Sequence, residues 1–200
     1  MIRTADKHSK ILEAAIRVFS RKGFFHARIS DIAKEAQVAD GTIYLYFNNK
    51  YDILISLFEE EIGKIIMEVK LLLESKADDN PREMLRIFAT HHLQMMDDRR
   101  ELAEVLQMEL RQSNKFMREY RNTKFSEYLD IISGIVRKGQ ELGVFRPDVL
   151  PGVFKRAFFG ALDETARLWI LSPDHSYSIH ETAEQISAIF INGIIQPAAR

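Results

Sequence analysis

The sequence predicts an all-α fold, with short helices at the N-terminal end, one long helix after them and a larger helical body. Three observations predict it. Apolar residues recur at three- and four-residue spacings almost throughout. No stretch alternates β-branched and polar residues over several positions, and tandem hairpin turns are missing. Capping residues stand at the ends of the apolar stripes, where helices start and stop.

Ile11, Leu12, Ala15, Ile16 and Phe19 form the stripe of the first helix, and Gly23 stands where its C-terminal cap belongs. Ser30, a good N-cap residue, is expected to open a second helix that buries Ile32, Ala33 and Ala36. A turn over Gln37 to Ala39 leads into a very short third helix within AQVADGTIYLYFNNK. A long helix from about Asn49 to Lys76 then carries Ile53, Leu54, Leu57, Phe58, Ile62, Ile65, Ile66, Val69 and Leu72 on one face. Asn80-Pro81-Arg82-Glu83 restarts the chain with capping-box spacing and proline at the first helical position. Helical stretches follow over 82–97, 100–110 and 114–142, the last closed by Gly143, and then from Val153 to Trp169. Ser178-Ile179-His180-Glu181 is a second capping box, opening a final helix that ends near Gln196-Pro197. No low-complexity linker interrupts the chain, so the long helix is expected to join a head, 1–48, directly to a body, 49–200.

Composition narrows the classes of activity. The 200-residue chain contains no cysteine, which excludes disulfides and thiolate metal sites and fits a reducing cytoplasm. The opening MIRTADKHSK is charged, and no apolar run reaches membrane-spanning length, so a cytoplasmic protein with no membrane partner is expected. Residues 1–50 hold nine Lys/Arg against five Asp/Glu, a net +4, which leaves −5 for the rest of a chain whose net charge is −1. A basic head on an acidic body suits a polyanion-binding module attached to a different function. No phosphate-cradling glycine loop, nucleophile elbow, H-E-x-x-H or EF-hand pattern is present, and adjacent His91 and His92 diverge on a helix, so neither an enzyme nor a metal site is expected.

The three short helices, the second and third separated by a tight turn, read as a helix-turn-helix whose last helix enters the major groove. Ile43 and Phe47, four apart, face the other helices, while Thr42, Tyr44, Leu45 and Tyr46 fall on or beside the opposite face. A tyrosine at such a boundary packs its ring at the edge and offers its hydroxyl to a phosphate oxygen. Lys50 adds a cation at the start of the next helix, and Arg28, Ser30, Asp40 and Gly41 complete the candidate duplex-contacting set. Asp40 either reads a cytosine amino group or caps the third helix.

ISDIAKEAQVADGTIYLYFNNKYDIL resembles the DNA-binding signature of TetR-family transcriptional repressors, through Gly41, Ile43, Tyr44, Tyr46, Phe47 and Lys50. The resemblance implies that Thr42, Tyr44, Tyr46 and Lys50 contact phosphates or base edges of double-stranded DNA at a palindromic operator. Two departures stand out. Gln37 replaces a common turn glycine, so the backbone there is either ordinary or mildly strained, and Ala39 replaces a common serine that supplies a capping hydroxyl.

In the body, large apolar residues make both core and candidate cavity lining: Phe88, Met95, Leu106, Leu110, Tyr128, Phe158, Phe159, Leu162 and Trp169, with His92 among them. Glu109, Arg111 and Gln112 interrupt one apolar helix end, and FFGALDETARLW sets Asp163 and Glu164 inside another. These charges either pair internally, Arg111 with Asp163 or Glu164, or meet a ligand. LQMELRQSN and FFGALDETARLW are similar to the matching segments of FadR-type fatty-acid-degradation regulators within that family. That likeness implies a long-chain acyl-CoA effector and no cofactor, with the CoA phosphates met by Arg111, Lys115, Arg118 and Arg121 at the mouth of an apolar tunnel. A multidrug-type sensor would instead use Glu109, Asp163 or Glu164 against a lipophilic cation, and a lipid-binding enzyme with a relic head is the third reading. The breadth of the apolar faces on the last two helices, the first of which carries small residues at Gly160 and Ala161, predicts a homodimer through a four-helix interface.

Overall fold

The computed structural model describes residues 2–109, 123–172 and 177–196. They form nine α-helices: α1 Ile2–Lys22, α2 Ile29–Glu35, α3 Asp40–Ile43, α4 Lys50–Lys76, α5 Pro81–Asp98, α6 Arg100–Glu104, α7 Thr123–Glu141, α8 Pro151–Leu171 and α9 Ile179–Ile194. Among the described residues the only extended pairing is an isolated antiparallel bridge between Phe145 and Ile195. The expected all-α class is what the chain adopts. No described helix is long and apolar enough to cross a membrane.

The chain divides into two compact units. One takes in residues 1–62 and 99–121, the other 63–98 and 122–200, so α4 contributes to both. In the first, Ile11, Leu12, Ala15, Val18 and Phe19 of α1 are buried with Ile32 and Ala33 of α2, Ile43 and Phe47, and Ile53, Leu54, Leu57 and Phe58 of α4. By packing, this unit is wider than the helix-turn-helix alone, because α6 also lies against α1 and buries Leu102 and Ala103. Its buried carboxylate, Glu61, is met by the Arg99 guanidinium. In the second unit α5 packs against α7, α8 and α9 around Leu85, Phe88, Leu93, Tyr128, Ile132, Phe158 and Leu162.

The predicted punctuation largely holds. Gly23 (φ 74°) and Gly143 (φ 66°) take the left-handed conformation just past α1 and α7, where a residue with a β-carbon is disfavoured. Asn80 accepts from Arg82 N–H at 3.1 Å, and the Ser178 hydroxyl accepts from Glu181 N–H at 3.1 Å while Glu181 accepts from Ser178 N–H at 2.8 Å. Three expectations need correction. Ser30 is not the cap of α2: the helix starts one residue earlier, Arg28 holds the cap position, and the Asp31 carboxylate satisfies Arg28 N–H at 3.0 Å. The cap of α3 is Ala39, which places Asp40 inside the first turn and removes its capping role. The stretch 100–110 is not one α-helix, because α6 ends at Glu104 and Val105–Glu109 widens into a π-helical turn. The remainder of that stretch and the start of the expected 114–142 helix lie outside the described residues.

One close approach fixes the end of α7. A β-carbon at Gly139 would come within 2.0 Å of the Phe145 ring, which is fully buried. The chain then pairs with the end of α9 through Arg146 N–H to Ile194 C=O at 2.8 Å and Gln196 N–H to Val144 C=O at 3.0 Å.

Candidate functional site

The first unit presents a helix-turn-helix held by charges. Glu35 at the end of α2 accepts from Arg17 at 2.7 Å and from Arg21, both on α1, and Asp31 accepts from Lys22 at 2.7 Å. These hydrogen bonds, those of Arg17 and Arg21 for Glu35 and that of Lys22 for Asp31, hold both carboxyls below the usual carboxylate range. A polar groove of about 680 Å³ lies between α1 and the α2–α3 turn, lined by Lys7, Lys10, Glu13, Arg17, Glu35 and the turn residues. The turn itself is tight. Gln37 sits at φ 57°, so of the two backbone states open to it the strained left-handed one is occupied, and Val38 N–H closes the turn on Ala33 C=O at 2.9 Å.

Past the turn, α3 separates its faces. Ile43 and Phe47 are buried, whereas Tyr44 is 57% and Leu45 80% exposed. Arg28, Ser30, Asp40 and Gly41 are exposed, and Thr42 and Tyr46 are half-buried. The Tyr46 ring meets His8 of α1 edge-on at 6.1 Å, which steadies the ring at the boundary. Lys50 is placed differently from its neighbours: its ammonium points inward to the carbonyls of Phe24, Phe25 and Ala27. Phe25 and Tyr51, 56% and 37% exposed, add aromatic surface that the sequence pattern did not single out. Their exposure depends on the α1–α2 connection, which has no periodicity to read.

The second unit contains an aromatic wall. Phe88 lies 5.0 Å from the Tyr128 ring, His92 5.3 Å from Phe159, and Phe125 5.2 Å from Phe159, while Phe158 meets Phe190 at 5.2 Å. Met95 and Leu162 are buried in the same unit, and Leu106 is buried in the other. One polar pair sits within the wall: His92 Nδ1 and the Tyr128 hydroxyl are 3.0 Å apart and both residues are buried. Burial, with a smaller contribution from the charge of His91, depresses His92 to about 3, and burial raises Tyr128 above its ordinary value. Both groups are therefore neutral, and the hydrogen bond between them carries the Tyr128 hydroxyl proton or the Nδ1 proton according to the imidazole tautomer. His92 Nε2 is buried with no hydrogen-bond partner among the described residues. His91 turns away from His92, as adjacent helical residues do, toward Glu68 at 3.4 Å.

Of the interrupting charges, Asp163 is 6% exposed, while Glu164 lies on the surface, bound by Arg167 one turn on at 2.9 Å. Trp169 is half-buried and donates from Nε1 to Asp97 at 3.2 Å. Glu109 ends the π-helical turn. Its side chain, with Leu110, Arg111, Lys115, Arg118 and Arg121, lies outside the described residues.

A helix-turn-helix on one unit and an apolar, helix-lined wall in the other define a class of one-chain regulators, and comparison with known proteins agrees. Residues 11–57 match the family described as bacterial regulatory proteins, tetR family, and residues 58–193 match the YsiA-like protein, C-terminal region. The chain belongs to the TetR family of transcriptional regulators, and it is a regulator rather than an enzyme. It is 36% identical over 188 residues to the fatty acid metabolism regulator protein of Bacillus subtilis (strain 168), covering 94% of this chain and 95% of that protein. Its fold is similar to that of the transcriptional regulator FadR from Bacillus subtilis in complex with stearoyl-CoA (TM-score 0.85, 35% identity, 93% of this chain and 98% of that one). It is equally similar to the fatty acid degradation regulator FadR from Bacillus halodurans (TM-score 0.85, 35% identity, 94% of this chain and 95% of that one).

Proposed function

We propose that the protein is a cytoplasmic homodimeric repressor of fatty-acid metabolism genes that leaves a palindromic operator when it binds a long-chain acyl-CoA. The observation that carries this reading is the near full-length kinship with a regulator whose structure was determined with stearoyl-CoA. The aromatic wall supports it: burying an acyl chain against Phe88, Tyr128, Phe158, Phe159 and Leu162 is favourable by roughly 0.8 kcal/mol per methylene. His92 Nε2, buried and without a hydrogen-bond partner among the described residues, is a neutral polar atom there that remains for a ligand. Arg111, Lys115, Arg118 and Arg121 are the cations that would meet the CoA phosphates.

In this reading residues 1–48 bind the duplex and 49–200 bind effector and partner. Arg28, Ser30, Asp40, Gly41, Thr42, Tyr44, Leu45, Tyr46 and Lys50 form the duplex-facing set. The partner face is the exposed apolar stripe of α8 and α9. Val153, Leu168 and Ile189 are each more than half exposed, and a β-carbon at Gly160 or Gly193 would meet nothing, which leaves room for a close helix approach. Effector binding favours a head spacing that no longer matches two half-sites about one helical turn, or ~34 Å, apart.

The test is anisotropy of a labelled duplex recovered by selection with this protein. Stearoyl-CoA is expected to release it and stearate to do so poorly. Equal release by both, or release by a lipophilic cation alone, would overturn the assignment.

A further inference from the structure

We propose that Gly41 and Leu45 together read the C5-methyl group of a thymine in each operator half-site, Leu45 supplying the apolar contact and Gly41 the clearance that lets the base edge approach. The inference rests on the reading of the head as a duplex-binding module.

The placement follows from the helical repeat. Ile43 and Phe47 are buried against the other helices, and they fix which side of this segment faces inward. A residue two positions from a buried one lies about 200° around a helix, on nearly the opposite side. Gly41 and Leu45 stand two positions before and two after Ile43, so they share the face that points away from the core. The segment stays coiled far enough for this to hold: Leu45 N–H bonds Thr42 C=O at 3.2 Å, and Phe47 N–H bonds Ile43 C=O at 3.0 Å.

Neither residue serves the fold. Glycine is the poorest helix former after proline, so within α3 it needs a reason. The usual internal reasons are missing. Gly41 does not take the left-handed conformation, and a β-carbon there would meet nothing within 4 Å among the described residues. What requires that space to stay open therefore lies outside the chain. Leu45 is 80% exposed, more than any other large apolar residue among those described, so it adds almost nothing to the core. Thr42, Tyr44 and Tyr46 around it carry hydroxyls, whereas the Leu45 side chain can form no hydrogen bond.

The chemistry of the major groove names the occupant. Base edges there offer hydrogen-bond donors, acceptors and one apolar group, the thymine methyl. A leucine laid against a donor or acceptor covers it without replacing its water, and against a methyl it removes apolar surface from water. Leu45 thus favours thymine over the other three bases. The bare α-carbon of Gly41, one turn earlier on the same face, is where the duplex can come closest.

The test removes the methyl and nothing else. In a duplex selected by the wild-type protein, each thymine is replaced in turn by uracil at equivalent positions of both half-sites, and the full chain is titrated by anisotropy. At one thymine per half-site the wild type is expected to lose about fourfold in affinity per methyl, about fifteenfold for the pair. Leu45→Ala should bind the selected duplex more weakly and respond to that same replacement by less than about threefold in all. Gly41→Ala separates recognition from folding. Alanine is the better helix former and has room, so melting should be unchanged or higher while affinity for the selected duplex falls at least about tenfold. A selected duplex with no methyl-sensitive thymine, a uracil penalty undiminished in Leu45→Ala, or a Gly41→Ala protein that binds like the wild type would overturn the proposal. So would loss of binding in Gly41→Ala that only tracks a lowered melting temperature. A wild-type protein that selects no duplex would refute the duplex-binding module itself, a result distinct from any of these.

Discussion

At the scale of single residues, two unusual backbone and side-chain states have measurable consequences. Gln37 occupies the left-handed region at φ 57°, where a β-carbon costs about 1 kcal/mol. Gln37→Gly should therefore stabilise the protein by roughly that amount in urea unfolding, with the selected duplex still bound. His92 is the second case. Its folded value, depressed to about 3 from 6.5, means that the unfolded chain takes up a proton that the folded chain refuses. Stability is accordingly full above about pH 6.5 and is lost as pH falls toward 3, by up to about 1.4 kcal/mol per pH unit. His91, also depressed by burial, adds in the same direction. Melting followed from pH 7.5 to 5 should show this decline, and His92→Gln, which does not titrate, should flatten it to the share left by His91. Gly139 is a packing case: its α-carbon faces the Phe145 ring so closely that Gly139→Ala should destabilise by about 1–3 kcal/mol in urea unfolding.

At the scale of elements, the helices were legible because each buries a stripe of period 3.6 and most are closed by recognisable caps. The start of α4 at Lys50, Pro81 at the head of α5, and the Ser178 box of α9 all appear as written in the letters. What stayed hidden depends on atoms that have no letter or on contacts far apart in sequence. The acceptors of Lys50 are backbone carbonyls, present at every residue and distinguished only by the fold. His92 and Tyr128 are 36 positions apart, so a histidine on an apolar face gave no sign of a tyrosine partner. Ser30 and Asp40 misled for a related reason: capping preference identifies a residue type, while the helix start is set by which of several adjacent residues turns helical first. The exposed stripe of α8 and α9 yields its own prediction. Ile189→Asp, at a position 68% exposed, should leave the fold and its melting in dilute solution nearly intact yet shift sedimentation to the monomer and weaken operator binding. An unchanged sedimentation coefficient would place the partner face elsewhere.

At the scale of the whole molecule, the wall and the kinship together predict a chain-length dependence of the effector. In a series of acyl-CoAs, the concentration that half-releases the duplex should fall by about fourfold per added methylene, the equivalent of ~0.8 kcal/mol, until no further methylene can be buried. A flat series measured by the same anisotropy titration would show that acyl burial does not drive release. The head's charges carry a different consequence. Arg17, Arg21 and Lys22 are already spent on Glu35 and Asp31, so fewer cations face a duplex than the composition suggests. Few counterions are then released on docking, and the salt slope per protomer should be shallow. A bacterium that loads itself with potassium after an osmotic upshift would strip a strongly basic repressor from its sites; a shallow slope would leave this one seated, its answer to lipid supply undisturbed by the ionic weather of the cell.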